Sequence, residues 1–168
     1  EKAMAYYNDA KEILEASGDK NQVAYTLNNI GKVYASRGEV SKAMEQHQKA
    51  KRVAQGASAN LELTQALNYI GALQLRNGNS QQALTTYKRA ESIATELGAN
   101  YELKDSYEGI AKAYSLLSDF KGAYTYQDKL LAVKDTLFNA ETSKKIENLQ
   151  ANYENEKKQA QIDLLTKD

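Results

Sequence analysis

The stretch LNNIGKVYASRGEVSKAMEQHQKA, Leu27–Ala50, sets Gly31 in the middle of a helix-prone segment. An interior Gly costs about 1 kcal/mol relative to Ala, so something must offset it. Forty residues on stands LNYIGALQLRNGNSQQALTTYKRA, Leu67–Ala90. Leu27, Asn28, Ile30, Gly31, Gly38, Ala43 and Ala50 return there as Leu67, Asn68, Ile70, Gly71, Gly78, Ala83 and Ala90. The next step of forty keeps Ile110 and Ala123 and substitutes Ala111 and Ser118 for the two glycines. Stepping back from Ala43, His47 and Ala50 lands on Ala3, Tyr7 and Ala10. Self-similarity on this scale predicts an array of stacked units.

Within a unit, Leu27, Ile30, Tyr34 and then Ala43, His47, Ala50 follow the 3–4 spacing of one helix face. No proline interrupts. Gly38 and Gly78 stand where a first helix should stop in the left-handed conformation. Gly18 and Gly98 mark the longer connection between units, and Ser80 and Asp119 fit as N-caps. The pattern predicts helices near 2–17, 22–37, 40–56, 61–77, 80–97, 101–117 and 120–137, then a last long helix from about 140. The Gly positions are expected to sit opposite Ala43 and Ala83 and let paired helices approach closely.

The order large residue, Ile-Gly, Tyr, then Ala, ring, Ala resembles the tetratricopeptide repeat across about residues 1–137. Leu27, Ile30, Gly31, Tyr34, Ala43, His47 and Ala50 carry the first full copy. Leu67, Ile70, Gly71, Ala83, Tyr87 and Ala90 carry the second, and Tyr107, Ile110, Ala111, Tyr114 and Ala123 the third. The signature Trp and Pro are absent and the period is 40 rather than 34, with Gln74, Gln127 and Leu130 further departures. The resemblance implies an all-α, right-handed superhelical solenoid of antiparallel helix pairs. Its parts are a partial repeat over 1–20, repeats over 21–60, 61–100 and 101–139, and a C-terminal capping helix over 140–168.

In that tail, Ile146, Leu149 and Tyr153 form a stripe expected to cover the last pair. The other reading is the start of a coiled coil, which would make a homodimer through the C-terminal helix. The Lys/Glu-rich tail is also similar in layout to the junction of bacterial sensor kinases and regulators that carry such repeats. That resemblance implies a fragment of a longer signalling protein, on the periplasmic side of a membrane or, alternatively, in the cytoplasm.

Lys+Arg and Asp+Glu number 22 each, so the formal net charge is zero. This balance gives no support for nucleic acid or an anionic membrane surface as partner. Absence of Cys removes thiol chemistry and zinc-thiolate sites, and no apolar run reaches the ~18 residues of a membrane span. His47, the single histidine, occupies a core position and lacks companions for a metal or a catalytic triad. No calcium or phosphate loop is present, so neither an enzyme nor a cofactor is expected.

The expected partner is a protein or peptide. In the resembled family the groove is lined by first-helix residues that flank the core ones. Carried over, these are Tyr25, Asn28, Lys32, Gln65, Asn68, Arg76, Asp105, Glu108 and Lys112, with Ser36, Ala72 and Leu75 beside them. Asn28 and Asn68 are expected on the groove wall, their amides holding a peptide backbone. The competing reading makes them ordinary surface polar residues. Lys32, Asn68 and Lys112 resemble the family's clamp for a terminal carboxylate, against which Glu108 stands.

Overall fold

The computed structural model describes residue 16 and residues 18–165. The helix expected near 2–17 and its Ala3, Tyr7 and Ala10 lie outside the described residues. Six α-helices follow among them: α1 (Lys20–Ser36), α2 (Val40–Ala57), α3 (Asn60–Arg76), α4 (Ser80–Leu97), α5 (Asn100–Leu116) and α6 (Phe120–Leu165). The chain divides into two compact units, Glu1–Leu131 and Ala132–Asp168.

One rhythm builds the first unit. Positive φ falls at Gly18, Gly38, Ser58, Gly78, Gly98 and Ser118, every twentieth residue. A helix and its turn therefore fill twenty positions, and two of them make the period of forty. Each turn within a pair closes with the same bond, from Glu39, Asn79 and Asp119 N–H to the carbonyls of Tyr34, Gln74 and Tyr114, all 2.9 Å. Such bonds satisfy carbonyls that the helix end leaves free. Asp119 caps α6 as expected, accepting from Gly122 N–H at 2.9 Å. Ser80 does not cap; it is the first residue of α4, and Asn79 precedes it without a side-chain bond.

The series would next place a turn at residue 138. Phe138 and Asn139 stand there instead of Gly or Ser, and α6 runs through to Leu165. The break expected between 137 and 140 is absent, because a bulky residue in the left-handed region costs roughly 1–2 kcal/mol and nothing downstream breaks a helix. The stripe expected to cap the array is exposed: Ile146 by 51%, Leu149 by 67% and Tyr153 by 68%.

In the first unit, small residues bring the helices together. Ala24, Ala43, Ala50, Ala54, Ala66, Ala83, Ala90 and Ala94 are fully buried. Leu27, Leu63, Leu67, Leu73 and Ile110 fill the space around them, each stabilising the array by roughly 1.5–3 kcal/mol. The two glycines behave differently from expectation. They face rings rather than Ala43 and Ala83: a Cβ on Gly31 would lie 2.5 Å from the His47 ring, and one on Gly71 2.7 Å from the Tyr87 ring. The missing Cβ makes room for a ring lying flat across the first helix.

Successive first helices, α1, α3 and α5, touch directly, and α2 and α4 each pack on the first helix of the next pair. Among the described residues α2 and α4 do not meet. The first helices are thus the inner row. In the third pair Tyr126 replaces the ring missing at Gln127. It packs on Tyr107 and Tyr114 at 5.8 Å each, and its hydroxyl meets Glu91 at 2.9 Å. Lys129, 3.2 Å from Glu91, and Lys88 complete that cluster.

Candidate functional site: the inner face of the first helices

The structure divides the predicted groove residues into two groups. Asn28 and Asn68 are buried, 1% and 5% exposed, and their amides are used inside the chain. Asn28 Nδ2 donates to the Glu62 carbonyl at 3.1 Å, and Asn68 Nδ2 donates to the Glu102 carbonyl at 3.0 Å. Each bond joins one first helix to the next. This corrects the expectation that they hold a peptide: a short amide on this face reaches the neighbouring helix before it reaches solvent.

The oxygens of the two amides find different donors. Asn28 Oδ1 lies 3.1 Å from His47 Nδ1, so the neutral imidazole carries its proton on Nδ1 and donates. Asn68 Oδ1 accepts from Ser106 Oγ at 2.8 Å. The rings follow the same exchange. His47 stacks on Tyr69 with centroids 4.8 Å apart. At the next joint Tyr87 fills the larger share and Gly109, forty residues after Tyr69, gives way to it. A Cβ on Gly109 would fall 2.1 Å from the Tyr87 ring. Burial, with Lys32 adding, pushes His47 down to about 4, so the histidine is a neutral core residue.

The second group lines an open hollow of about 420 Å³ between α3 and α5. Arg76, Asp105, Glu108 and Lys112 come together there, with Ala72, Leu75 and the edge of Asn68. Tyr69, Tyr87 and Gly109 also line it, and sequence reasoning had missed Tyr69 and Gly109 altogether. A signal for them exists: the exchange of His47 plus Tyr69 for Tyr87 plus Gly109 at a step of forty. Tyr25, Asn28, Lys32 and Gln65 stand outside the hollow. Tyr25 is about half exposed, Lys32 sits 5.7 Å over the Tyr69 ring, and Gln65 donates to Glu102 Oε1 at 2.9 Å. Ser36 bonds its own helix at the Val33 carbonyl.

The hollow is electrostatically mixed. Burial holds the Asp105 carboxyl above the ordinary range; Lys104 beside it opposes this, and Glu102 and Glu108 add to it. Burial also raises the Tyr87 phenol, with Asp105 and Glu108 contributing. Among the described residues Arg76 bonds only the Ala35 carbonyl, at 3.5 Å. Glu108 and Lys112 form no ion pair among the described residues. Nor is any group of three or more His, Cys, Asp or Glu among them placed to hold a metal ion.

These features define a tetratricopeptide-like helical repeat, and solved structures share it. No family model and no curated protein sequence matches the chain. The TPR domain of Arabidopsis FLU superposes with a TM-score of 0.64 at 24% identity, covering 70% of this chain and 98% of that one. Aspartyl phosphate phosphatase F from Bacillus subtilis gives 0.73 at 19% identity, covering 80% of this chain. A Rap protein complexed with Competence and Sporulation Factor gives 0.69 at 21% identity over 79%. The chain spans 35% and 37% of the length of those two. At these identities the likeness is one of fold. No helix among the described residues is long and apolar enough to cross a membrane.

Proposed function

We propose that the chain is a non-catalytic protein-binding scaffold whose hollow between α3 and α5 holds an extended segment of a partner protein. The observation that carries this reading is the convergence of Arg76, Asp105, Glu108, Lys112 and the Tyr87 edge on one open face. Two cations and two carboxylates with few internal partners suit a segment that presents both donors and acceptors. A polypeptide does this through its backbone. His47 is committed to Asn28 in the core, which leaves no imidazole for nucleophile activation.

The scaffold reading extends to the sensory or interaction region of a larger bacterial signalling protein. The layout of repeats followed by a Lys/Glu-rich helix supports it. So does the likeness to an aspartyl phosphate phosphatase and to a Rap protein solved with a bound factor. A second reading, a dimerising and signal-transmitting module, draws on the exposed apolar residues of α6.

Partners captured from cell extract, then titrated against variants, test the groove. Arg76→Ala with Lys112→Ala should weaken the best partner by about tenfold to a hundredfold per lost charged contact, given roughly 1.5–3 kcal/mol for each. Lys121→Ala, on a second helix, should leave affinity unchanged. Equal affinity in parent and double variant removes the groove as the site. Asn28→Ala and Asn68→Ala are unsuitable probes, because both act on the joints between repeats.

A further inference from the structure

Tyr87 is 5% exposed, and its hydroxyl meets no hydrogen-bond partner among the described residues. A Cβ on Gly71 or on Gly109 would strike the ring at Cζ, the carbon that bears the hydroxyl. The hydroxyl end therefore lies between α3 and α5, on the hollow that the ring lines. A polar side chain this buried ordinarily has a partner, because leaving the bond unmade is costly. The first joint shows what stands at the equivalent place. There Lys32 holds its ammonium 5.7 Å over the Tyr69 ring, within range of a cation–π contact. Its charge also acts on His47, the counterpart of Tyr87. A step of forty turns Lys32 into Ala72 and Tyr69 into Gly109, while Gln65 and Asn68 become Asp105 and Glu108. The second joint has lost that cation and the ring beneath it, and has gained two carboxylates.

We propose that this place receives a basic side chain, lysine or arginine, of the partner segment, which donates to the Tyr87 hydroxyl oxygen beside Asp105 and Glu108; the proposal rests on the groove reading above. Of the charges around the hollow, the two carboxylates are those that act on the phenol. Glu108 has no ion pair among the described residues, and the half-exposed Asp105 has Lys104 at 3.4 Å. Lys112 stands seven residues beyond Asp105, roughly 10 Å along α5, and Arg76 ends α3. The cations thus hold the far end of the hollow, and the end near the carboxylates is left to the guest. Its methylene stem would lie over Ala72, in the room that Gly109 leaves.

The test uses the full chain and short end-capped peptides of alanine and glycine with one central lysine, acetyl-lysine or glutamate. Titration followed by NMR should show the lysine peptide moving the Gly71 and Gly109 amide resonances. It should bind about tenfold or more tightly than its acetyl-lysine counterpart, which keeps the stem and loses the charge. Glu108→Gln and Tyr87→Phe should each weaken it several-fold. Ala72→Lys, which restores the built-in cation of the first joint, should weaken it about tenfold or more. Tyr87→Phe should leave the melting midpoint unchanged or raised, since the hydroxyl holds nothing within the chain. A lowered midpoint gives the hydroxyl an internal partner and overturns the proposal. So does equal binding of lysine and acetyl-lysine, or binding indifferent to Ala72→Lys. Tighter binding of the glutamate peptide overturns the cation site and leaves the groove standing, read through Arg76 and Lys112. If no peptide moves those resonances, the cation site is overturned, while the captured partner and the Arg76→Ala, Lys112→Ala pair decide the groove separately.

Discussion

His47 shows how much one side chain can carry. It lies against Gly31, donates to Asn28 and stacks on Tyr69, and burial holds its imidazole down to about 4. The unfolded chain binds a proton there near pH 6.5. Between about pH 6.5 and 4 the unfolded state therefore holds more protons than the folded one, and stability rises with pH through that window. The effect amounts to roughly 3 kcal/mol at most, lost as pH falls to 4. Urea unfolding at pH 7 and pH 4.5 should show a fall larger by about 2 kcal/mol in the parent than in His47→Gln. Equal falls would place the histidine in contact with water. The sequence marked His47 as a core residue by position alone. It did not distinguish Asn28 and Asn68 from Lys32 and Lys112, because periodicity separates polar from apolar faces. It does not tell a polar residue that bonds the next helix from one that reaches into the groove. That distinction depends on side-chain length and on where the Glu62 and Glu102 carbonyls lie.

Among the elements, the turns were the most legible part. Four of the six positive-φ positions are glycine, and the helix limits read from them differ from the observed ones by no more than two residues before Phe120. Ser58 and Ser118 hide the same conformation under another residue. Ser118, at φ 61°, bears a left-handed cost of roughly 1–2 kcal/mol, against which glycine's greater unfolded-state freedom sets about 0.5–1 kcal/mol. Ser118→Gly should therefore stabilise the chain by up to about 1 kcal/mol, read as a rise of roughly 2–4 °C in melting midpoint. A lowered midpoint would mean that the serine makes a stabilising contact in the turn. The uninterrupted α6 was not legible, because NAETSKK after Phe138 suits the start of a new helix as well as the middle of an old one.

The whole molecule is an array followed by a helix whose residues from 139 to 163 are all exposed. Ending the chain at Asn139 should leave the unfolding free energy of the array within about 0.5 kcal/mol, as for surface changes generally. Urea titration of both chains checks this; a larger loss would support the capping role expected of the tail. Within the array, the two joints have different fittings. The first takes a small ring at 47 and a large one at 69; the second takes a large ring at 87, a glycine at 109 and a serine at 106. The middle repeat carries the socket of one and the plug of the other. Two middle repeats in tandem would bring Tyr87 onto Tyr69, two phenols in the room for one. Ala66 would stand where Ser106 belongs and leave the Asn68 oxygen without its donor. Despite their shared period, the repeats are keyed: each accepts one neighbour on each side, and the array has a fixed order.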